Sequence, residues 1–152
     1  MRSGFSRRVA LLAVLSVAPV GAARAEVPAE FRQILDTYAK ALDGNDVETL
    51  VGLFGANGVF MPEDMPAAVG HDALRATYRN LFATLKVGLR FDLQDSGQSG
   101  DLGWVRAAST GKVKVLSTGA ESEHAYHLLI VLRRDSGVWK IGNYLYASSR
   151  SK

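Results

Sequence analysis

The period of the apolar residues changes once along this chain, after Lys86. Before that point apolar residues recur at helical spacing, and after it they alternate with polar residues along long segments. Helical spacing predicts helices that bury one stripe, whereas alternation predicts strands that bury one face. We therefore expect an α+β fold, in which a cone-shaped, curved antiparallel sheet wraps around N-terminal helices. Such a fold leaves a hollow between helices and sheet, where ligand pockets are often found.

Three helices are predicted before the change of period. Pro28 suits the first position of the first helix, and Asp46 can cap a short second helix that ends at Gly55 and Gly58. A third helix is predicted from Asp72, which can act as its cap. The apolar stripe of the first helix consists of Phe31, Ile34, Leu35, Tyr38 and Leu42.

The long strands are bounded by predicted turns at 95–100, Gly111, Gly119 and 135–137. The first strand alternates apolar and polar residues from Val87 to Gln94. Later strands are predicted at about 102–110, at 112–118 continuing across a turn to 123–134, and at 138–147. Segment 126–132 is apolar on both faces, which is typical of a central strand.

Residues 1–25 have the features of a signal peptide: a basic start, an apolar stretch and the small-residue site Ala23-Arg24-Ala25. We therefore expect a periplasmic or secreted protein whose mature part, 26–152, is one domain. Four of the 18 basic residues lie in this predicted signal, which leaves 14 basic against 15 acidic residues, a net charge near −1. The mature chain therefore gives no electrostatic reason to expect nucleic acid or a membrane as partner.

Three stretches carry a resemblance to a known family: "YAKALDGNDVETLVGLFGANGVFMP", "GHDALRATYRNLF" and "GVWKIGNYLYAS". They resemble the nuclear transport factor 2-like superfamily, and more closely its SnoaL-like and ketosteroid-isomerase-like branch. The resemblance covers about residues 30–148. It implies the same α+β fold, with functions that range from isomerases, cyclases and dehydratases to binding modules without catalysis.

The ketosteroid isomerases in that branch use three residues that can be matched to this chain. Tyr38 falls where they have a tyrosine that donates to the substrate oxyanion. Their base falls at Pro62, one residue before Glu63, and their second, protonated aspartate falls near His127 or Leu128. The resemblance therefore implies Tyr38, Glu63 and His127 as candidate catalytic residues, with one position matched, one shifted and one replaced.

Glu63 and Asp64 lie between two prolines in the irregular segment Pro62–Gly70. A carboxylate held in a dry site beside Met61 and Met65 would suit proton abstraction, because desolvation raises its pKa. Two acids between prolines also describe an exposed turn, which is the interpretation we favour. At most one of the two can face a pocket, and Glu63 is the candidate.

Three further residues are candidates for ligand binding. Trp104 and Arg106 share a predicted strand face, where the arginine could hold an acidic ligand or make a surface salt bridge. Asn143 interrupts an apolar set and could orient a ligand or pin the backbone. His124 and His127 are expected on opposite faces, so they cannot chelate one metal together.

No metal is expected, and no cofactor either, because the chain has no cysteine, no metal-ligand spacing and no phosphate loop. The expected function is binding of a small apolar or amphipathic molecule in the pocket. The alternative is a cofactor-independent isomerase, cyclase or dehydratase that transfers a proton next to a carbonyl. We also expect a homodimer formed through the sheet, to which Tyr144 and Tyr146 could contribute.

Overall fold

The computed structural model describes residues 26–149, which form three helices and six strands. The predicted signal peptide lies outside the described residues. The helices are α1 (Ala29–Asp43), α2 (Val47–Gly52) and α3 (Gly70–Thr84). The strands are β1 (Phe54–Met61), β2 (Ala68–Val69), β3 (Leu85–Ser99), β4 (Leu102–Val115), β5 (Glu121–Asp135) and β6 (Val138–Ser148). The predicted α+β class is confirmed.

All six of these strands belong to one sheet, in the order β2-β1-β6-β5-β4-β3. Pairing is antiparallel everywhere except between β1 and β6, which run parallel. Strand β5 has neighbours on both sides, as its two apolar faces predicted. The helices cover one face of the sheet, which we call the inner face. The opposite, outer face is not covered by any described element.

Helix α1 packs on the inner face through the predicted stripe. Phe31, Leu35, Tyr38 and Leu42 are buried, while the polar residues between them face outward. Pro28 is the N-cap rather than the first helical residue. Helix α3 begins at Gly70, two residues before the predicted cap, and Asp72 instead lies in its first turn. Full burial of Phe31 and Tyr78 places both helices on one apolar core.

The second helix is shorter than predicted. Asp46 caps it as expected, since its Oδ1 accepts from the Thr49 backbone N–H at 3.0 Å. The helix ends at Gly52, however, and Gly55 and Gly58 belong to β1. Phe54 starts that strand, because its backbone pairs with Ile141 of β6. Pairing across the sheet therefore overrides the local signal of the two glycines.

Two predicted turns are strand residues in the structure. Gly111 pairs with Leu89 in the middle of the β3–β4 ladder, so β4 continues to Val115 without a break. A side chain at Gly111 would collide with the backbone carbonyl oxygen of Gly88, so the glycine permits close approach rather than a turn. Likewise, β3 extends through the predicted turn as far as Ser99.

A β-bulge in β6 decides which residues face the helices. Leu132 pairs with Ile141 and Val131 pairs with Asn143, so Gly142 is an extra residue on β6. Side chains before the bulge alternate inward through Ile141, and those after it alternate inward from Tyr144. The predicted apolar set that placed Asn143 on the same face as Ile141 is therefore wrong, because the bulge shifts the alternation by one residue.

Candidate active site

A cavity of about 380 Å³ lies between the inner face of the sheet, α1 and α3. All five tyrosines of the chain line it, and all of them fall within the described residues. They come from one position on α1, one on α3, one on β5 and two on β6. Apolar side chains such as Leu42, Phe60, Leu81 and Val113 form most of the remaining wall. The site is thus an apolar cavity whose polar groups are mainly phenolic hydroxyls.

Three of the tyrosines form a buried group, which we call the inner tyrosines: Tyr38, Tyr78 and Tyr144. The hydroxyls of Tyr38 and Tyr78 are 2.9 Å apart. The ring of Tyr144 stacks on that of Tyr38 with centroids 4.9 Å apart, and its hydroxyl also interacts with that of Tyr38. Each of the three side chains is almost completely buried.

The inner tyrosines stay protonated well into alkaline solution. Burial raises the pKa of Tyr38, although hydrogen bonds with Tyr78 and Tyr144 partly oppose this rise. Burial also raises the pKa values of Tyr78 and Tyr144 well above the ordinary value, and their interactions with Tyr38 raise them further. These phenols therefore act as neutral hydrogen-bonding groups near neutral pH.

The other two tyrosines, Tyr126 and Tyr146, contact each other with ring centroids 4.9 Å apart. Burial, followed by the nearby Tyr126 and the Glu63 carboxylate, raises the pKa of Tyr146 to about 12. The Tyr126 hydroxyl lies 2.6 Å from Nδ1 of His124, whose ring also lines the cavity. Nε2 of His124 in turn lies 2.8 Å from the Ser122 hydroxyl. Because His124 and Tyr126 are two apart on β5, both project to the inner face.

Glu63 lies in a turn, as the preferred interpretation predicted. Its Oε2 accepts a hydrogen bond from the Ser148 backbone N–H at 2.9 Å. Asp64 is exposed and has a left-handed φ of 58°, which fits the tight turn. The Glu63 carboxylate thus ties this turn to the end of β6, close to Tyr146. It is half-buried rather than enclosed in the cavity.

The structure does not bring the other predicted site residues to this cavity. Trp104 and Arg106 project to the outer face, and Arg106 donates to Oε1 of Gln94 at 2.6 Å. His127 is exposed on the outer face because it is one residue out of phase with Leu128. Asn143 faces outward because of the bulge at Gly142. The predicted grouping of these residues with Tyr38 around one pocket is therefore corrected.

Five aromatic residues of the cavity wall were not among the predicted site residues: Tyr78, His124, Tyr126, Tyr144 and Tyr146. Tyr144 and Tyr146 were instead considered for a subunit contact. His124 was considered only as a metal ligand. One signal was available: His124, Tyr126 and Leu128 alternate on one face of β5, as the predicted strand required.

Other features of the described part of the chain do not add a site. Within residues 26–149, no three His, Asp or Glu side chains cluster as metal ligands would. A second, shallower depression of about 590 Å³ runs along the solvent side of α1, beside Arg32, Asp36 and Lys40. None of the five tyrosines lines it, and most of its lining side chains are exposed. Among the helices between Glu26 and Ser149, none is long and apolar enough to cross a membrane.

Solved structures with this fold include several bacterial proteins. A ketosteroid isomerase-like protein from Erwinia carotovora atroseptica is 27% identical, with a TM-score of 0.76 over 81% of this chain and 96% of that chain. A putative aromatic ring hydroxylase from Novosphingobium aromaticivorans is 22% identical, with a TM-score of 0.71 over 80% and 88%. A type 2 hexachlorocyclohexane dehydrochlorinase is 11% identical, with a TM-score of 0.75 over 80% and 84%. The last two likenesses concern the fold alone.

Among proteins of curated function, no sequence matches this chain significantly. The SnoaL-like domain family matches residues 35–140, which run from the middle of α1 to the start of β6 and so include most of the cavity wall. Together with the six-stranded sheet and its covering helices, this match confirms the resemblance that the sequence suggested. The chain belongs to the SnoaL-like domain family.

Proposed function

We propose that the cavity binds a small, planar and largely apolar molecule that carries a carbonyl or phenol oxygen. The observation that carries this proposal is the convergence of all five tyrosines on one apolar cavity. Aromatic rings offer flat contact surface, and their hydroxyls offer hydrogen bonds without introducing charge. A small molecule site of this kind is typically apolar with a few well-placed polar groups.

Tyr38 is the proposed donor to the ligand oxygen. When the hydroxyls of Tyr78 and Tyr144 both donate to the Tyr38 oxygen, the Tyr38 proton is left to donate elsewhere. Its ring is held by stacking on Tyr144 and by an edge contact with Phe91, whose ring centroid is 5.8 Å away. A donor fixed in this way loses little freedom when a ligand binds.

The ligand pair 2-tetralone and tetralin tests this proposal. Both are bicyclic and similar in shape, but only 2-tetralone has a carbonyl oxygen. We expect 2-tetralone to bind about tenfold more tightly than tetralin, the effect of one buried hydrogen bond of about 1.4 kcal/mol. Ligand-observed NMR titration measures both affinities. In Tyr38→Phe the two ligands should bind equally well, because the ring remains and the donor is lost.

If neither 2-tetralone nor tetralin binds, the proposed function is contradicted. A preference for 2-tetralone that survives in Tyr38→Phe would show that another group holds the oxygen.

We also propose that the protein acts in the periplasm or outside the cell, on the basis of the predicted signal peptide. Sequencing the N-terminus of the protein isolated from its native host tests this, and a start at Met1 would contradict it.

The second candidate function is proton transfer next to a carbonyl. It is supported by the 27% identity with a ketosteroid isomerase-like protein and by the position of Tyr38. A neutral donor hydrogen-bonded to two further phenols is suited to stabilise a developing enolate oxygen. Of the bases predicted from the sequence, His127 is on the outer face and Glu63 is bonded to the Ser148 backbone. The base in this candidate mechanism is therefore to be sought on another element.

A further inference from the structure

We propose that Tyr126, His124 and Ser122 form a proton relay that connects the cavity with solvent. The inference rests on the proposed function, since it concerns the fate of a proton from a ligand in the same cavity. It adds a second polar group to the site, separate from the inner tyrosines and built from one strand, β5.

The geometry of the relay is continuous. Tyr126 lines the cavity, and its hydroxyl lies 2.6 Å from Nδ1 of His124. Nε2 on the other side of the same ring lies 2.8 Å from Oγ of Ser122. Ser122 is exposed at the start of β5, whereas Tyr126 is half-buried. The three residues therefore lead from the cavity to the surface in two hydrogen bonds.

Two features fix the imidazole in this position. Its ring stacks on that of Tyr126, with centroids 5.6 Å apart and planes 20° from parallel. All three side chains leave the strand on the same face, because they are two residues apart. A histidine with a hydroxyl on each nitrogen can accept a proton at one nitrogen and release one at the other.

The proposed step transfers one proton from the ligand to water through the three side chains. It involves no oxidation or reduction. A C–H bond next to the ligand carbonyl breaks, and its electron pair forms the enolate, whose oxygen is held by Tyr38. The proton passes to the Tyr126 oxygen while the Tyr126 hydroxyl proton passes to Nδ1 of His124. The imidazolium then releases its Nε2 proton to Ser122, whose own hydroxyl proton goes to water. Reprotonation at carbon runs the same path in reverse.

Deuterium exchange into 2-tetralone tests the relay without knowledge of the natural substrate. In D₂O, the protein should accelerate incorporation of deuterium next to the carbonyl, as measured by NMR. His124→Gln and Tyr126→Phe should each slow the catalysed exchange about 100-fold, the lower range for a lost acid–base group. Their affinities for 2-tetralone are titrated separately, and the exchange rates are compared at saturating ligand, so that a loss of binding is not mistaken for a loss of proton transfer. The matched control is His127→Gln, on the same strand but the outer face, which should exchange at the wild-type rate.

Exchange at the wild-type rate in His124→Gln would overturn the relay. The relay would also be overturned if 2-tetralone binds but its deuterium exchange is no faster than in buffer. That outcome would leave the proposed binding function intact.

The ligand-free protein provides a further test through the ¹⁵N shifts of the His124 ring. Ser122→Ala should change mainly the Nε2 shift and Tyr126→Phe mainly the Nδ1 shift. Shifts that respond to neither variant would contradict the relay whatever 2-tetralone does.

Discussion

The hydroxyl of Tyr38 on α1 lies 2.9 Å from the hydroxyl of Tyr78 on α3, in the buried part of the cavity. This contact joins residues 40 positions apart in the chain, and both side chains are almost completely buried. A buried hydroxyl is costly when it has no partner, so each of the two depends on the other. The pair thereby links the two helices that cover the sheet.

Tyr38→Phe and Tyr78→Phe should therefore be non-additive in stability. Each single change leaves a buried hydroxyl without this partner and should lower the free energy of unfolding by about 1–2 kcal/mol. The double change removes both hydroxyls and should cost no more than the larger single change. Urea denaturation of the four proteins measures the coupling. Costs that simply add would show that the hydroxyl pair contributes no coupled stability.

Glu63→Gln should leave deuterium exchange into 2-tetralone unchanged. The glutamine keeps an oxygen that can accept from the Ser148 N–H, so the turn should be preserved. If Glu63 were the base, loss of its carboxylate would slow exchange by about 100-fold or more. Exchange rates of the two proteins, measured side by side, distinguish a turn residue from a catalytic one. The matched control is Asp64→Asn, in the same turn but exposed.

Ser109→Ala should leave stability unchanged or raise it by about 1 kcal/mol. Ser109 is 2% exposed on β4, and its Oγ has no hydrogen-bond partner among residues 26–149. Removing that oxygen removes the cost of burying it, and the methyl group of alanine still fills most of the space. Thermal unfolding measures the change. A loss of more than about 1 kcal/mol would mean that the hydroxyl is hydrogen-bonded in solution.

The protein should lose stability in alkaline solution, starting near pH 10. Tyr146 has a folded pKa of about 12 against an ordinary value of 10.0, and the inner tyrosines are raised as well. Below pH 10 these phenols are neutral in both states. Between pH 10 and 12 they ionise in the unfolded chain but not in the folded one, so unfolding releases protons and becomes easier. Melting temperatures recorded across this range, with tyrosinate absorbance, measure the effect. A melting temperature that stays constant from pH 9 to 12 would contradict it.

The predicted homodimer through the sheet remains a proposal, and the structure suggests how to test it. The outer face carries an apolar row formed by Trp104, Leu129 and Leu145, which are 37%, 45% and 43% exposed. Arg106 and Asp95 lie beside these residues, so Arg106 of one copy could pair with Asp95 of a second copy facing it. Leu129→Glu should convert the dimer to a monomer in analytical ultracentrifugation. A wild-type protein that sediments as a monomer at micromolar concentration would contradict the proposal.

Local patterns were enough to predict the helices that carry part of the site. The stripe from Phe31 to Leu42 follows helical spacing, so the inward direction of Tyr38 could be derived before the structure was known. The alternation along β5 likewise predicted that His124 and His127 face opposite ways. These predictions held because each depends only on spacing within one uninterrupted element.

Predictions failed where a contact distant in the chain decides the local geometry. Glycine is typical of turns, but Gly111 lies in a strand because it pairs with Leu89, 22 residues earlier in the chain. Asn143 and Tyr144 were assigned to the wrong faces, because a glycine inside a strand indicates a bulge only weakly and the bulge at Gly142 was not predicted. Convergence of the five tyrosines depends on how α1, α3, β5 and β6 pack together, so no single segment predicts it.

The bulge at Gly142 makes the lining of the cavity depend on one local distortion of β6. If Gly142 were paired as an ordinary strand residue, the second half of the strand would turn over: Asn143 and Leu145 would face the helices, and Tyr144 and Tyr146 would face solvent. Deletion of Gly142 would instead make the alternation regular and keep both tyrosines on the inner face. Relatives of this chain that keep all five tyrosines in one cavity are therefore expected to have either the bulge or one residue fewer between Ile141 and Tyr144.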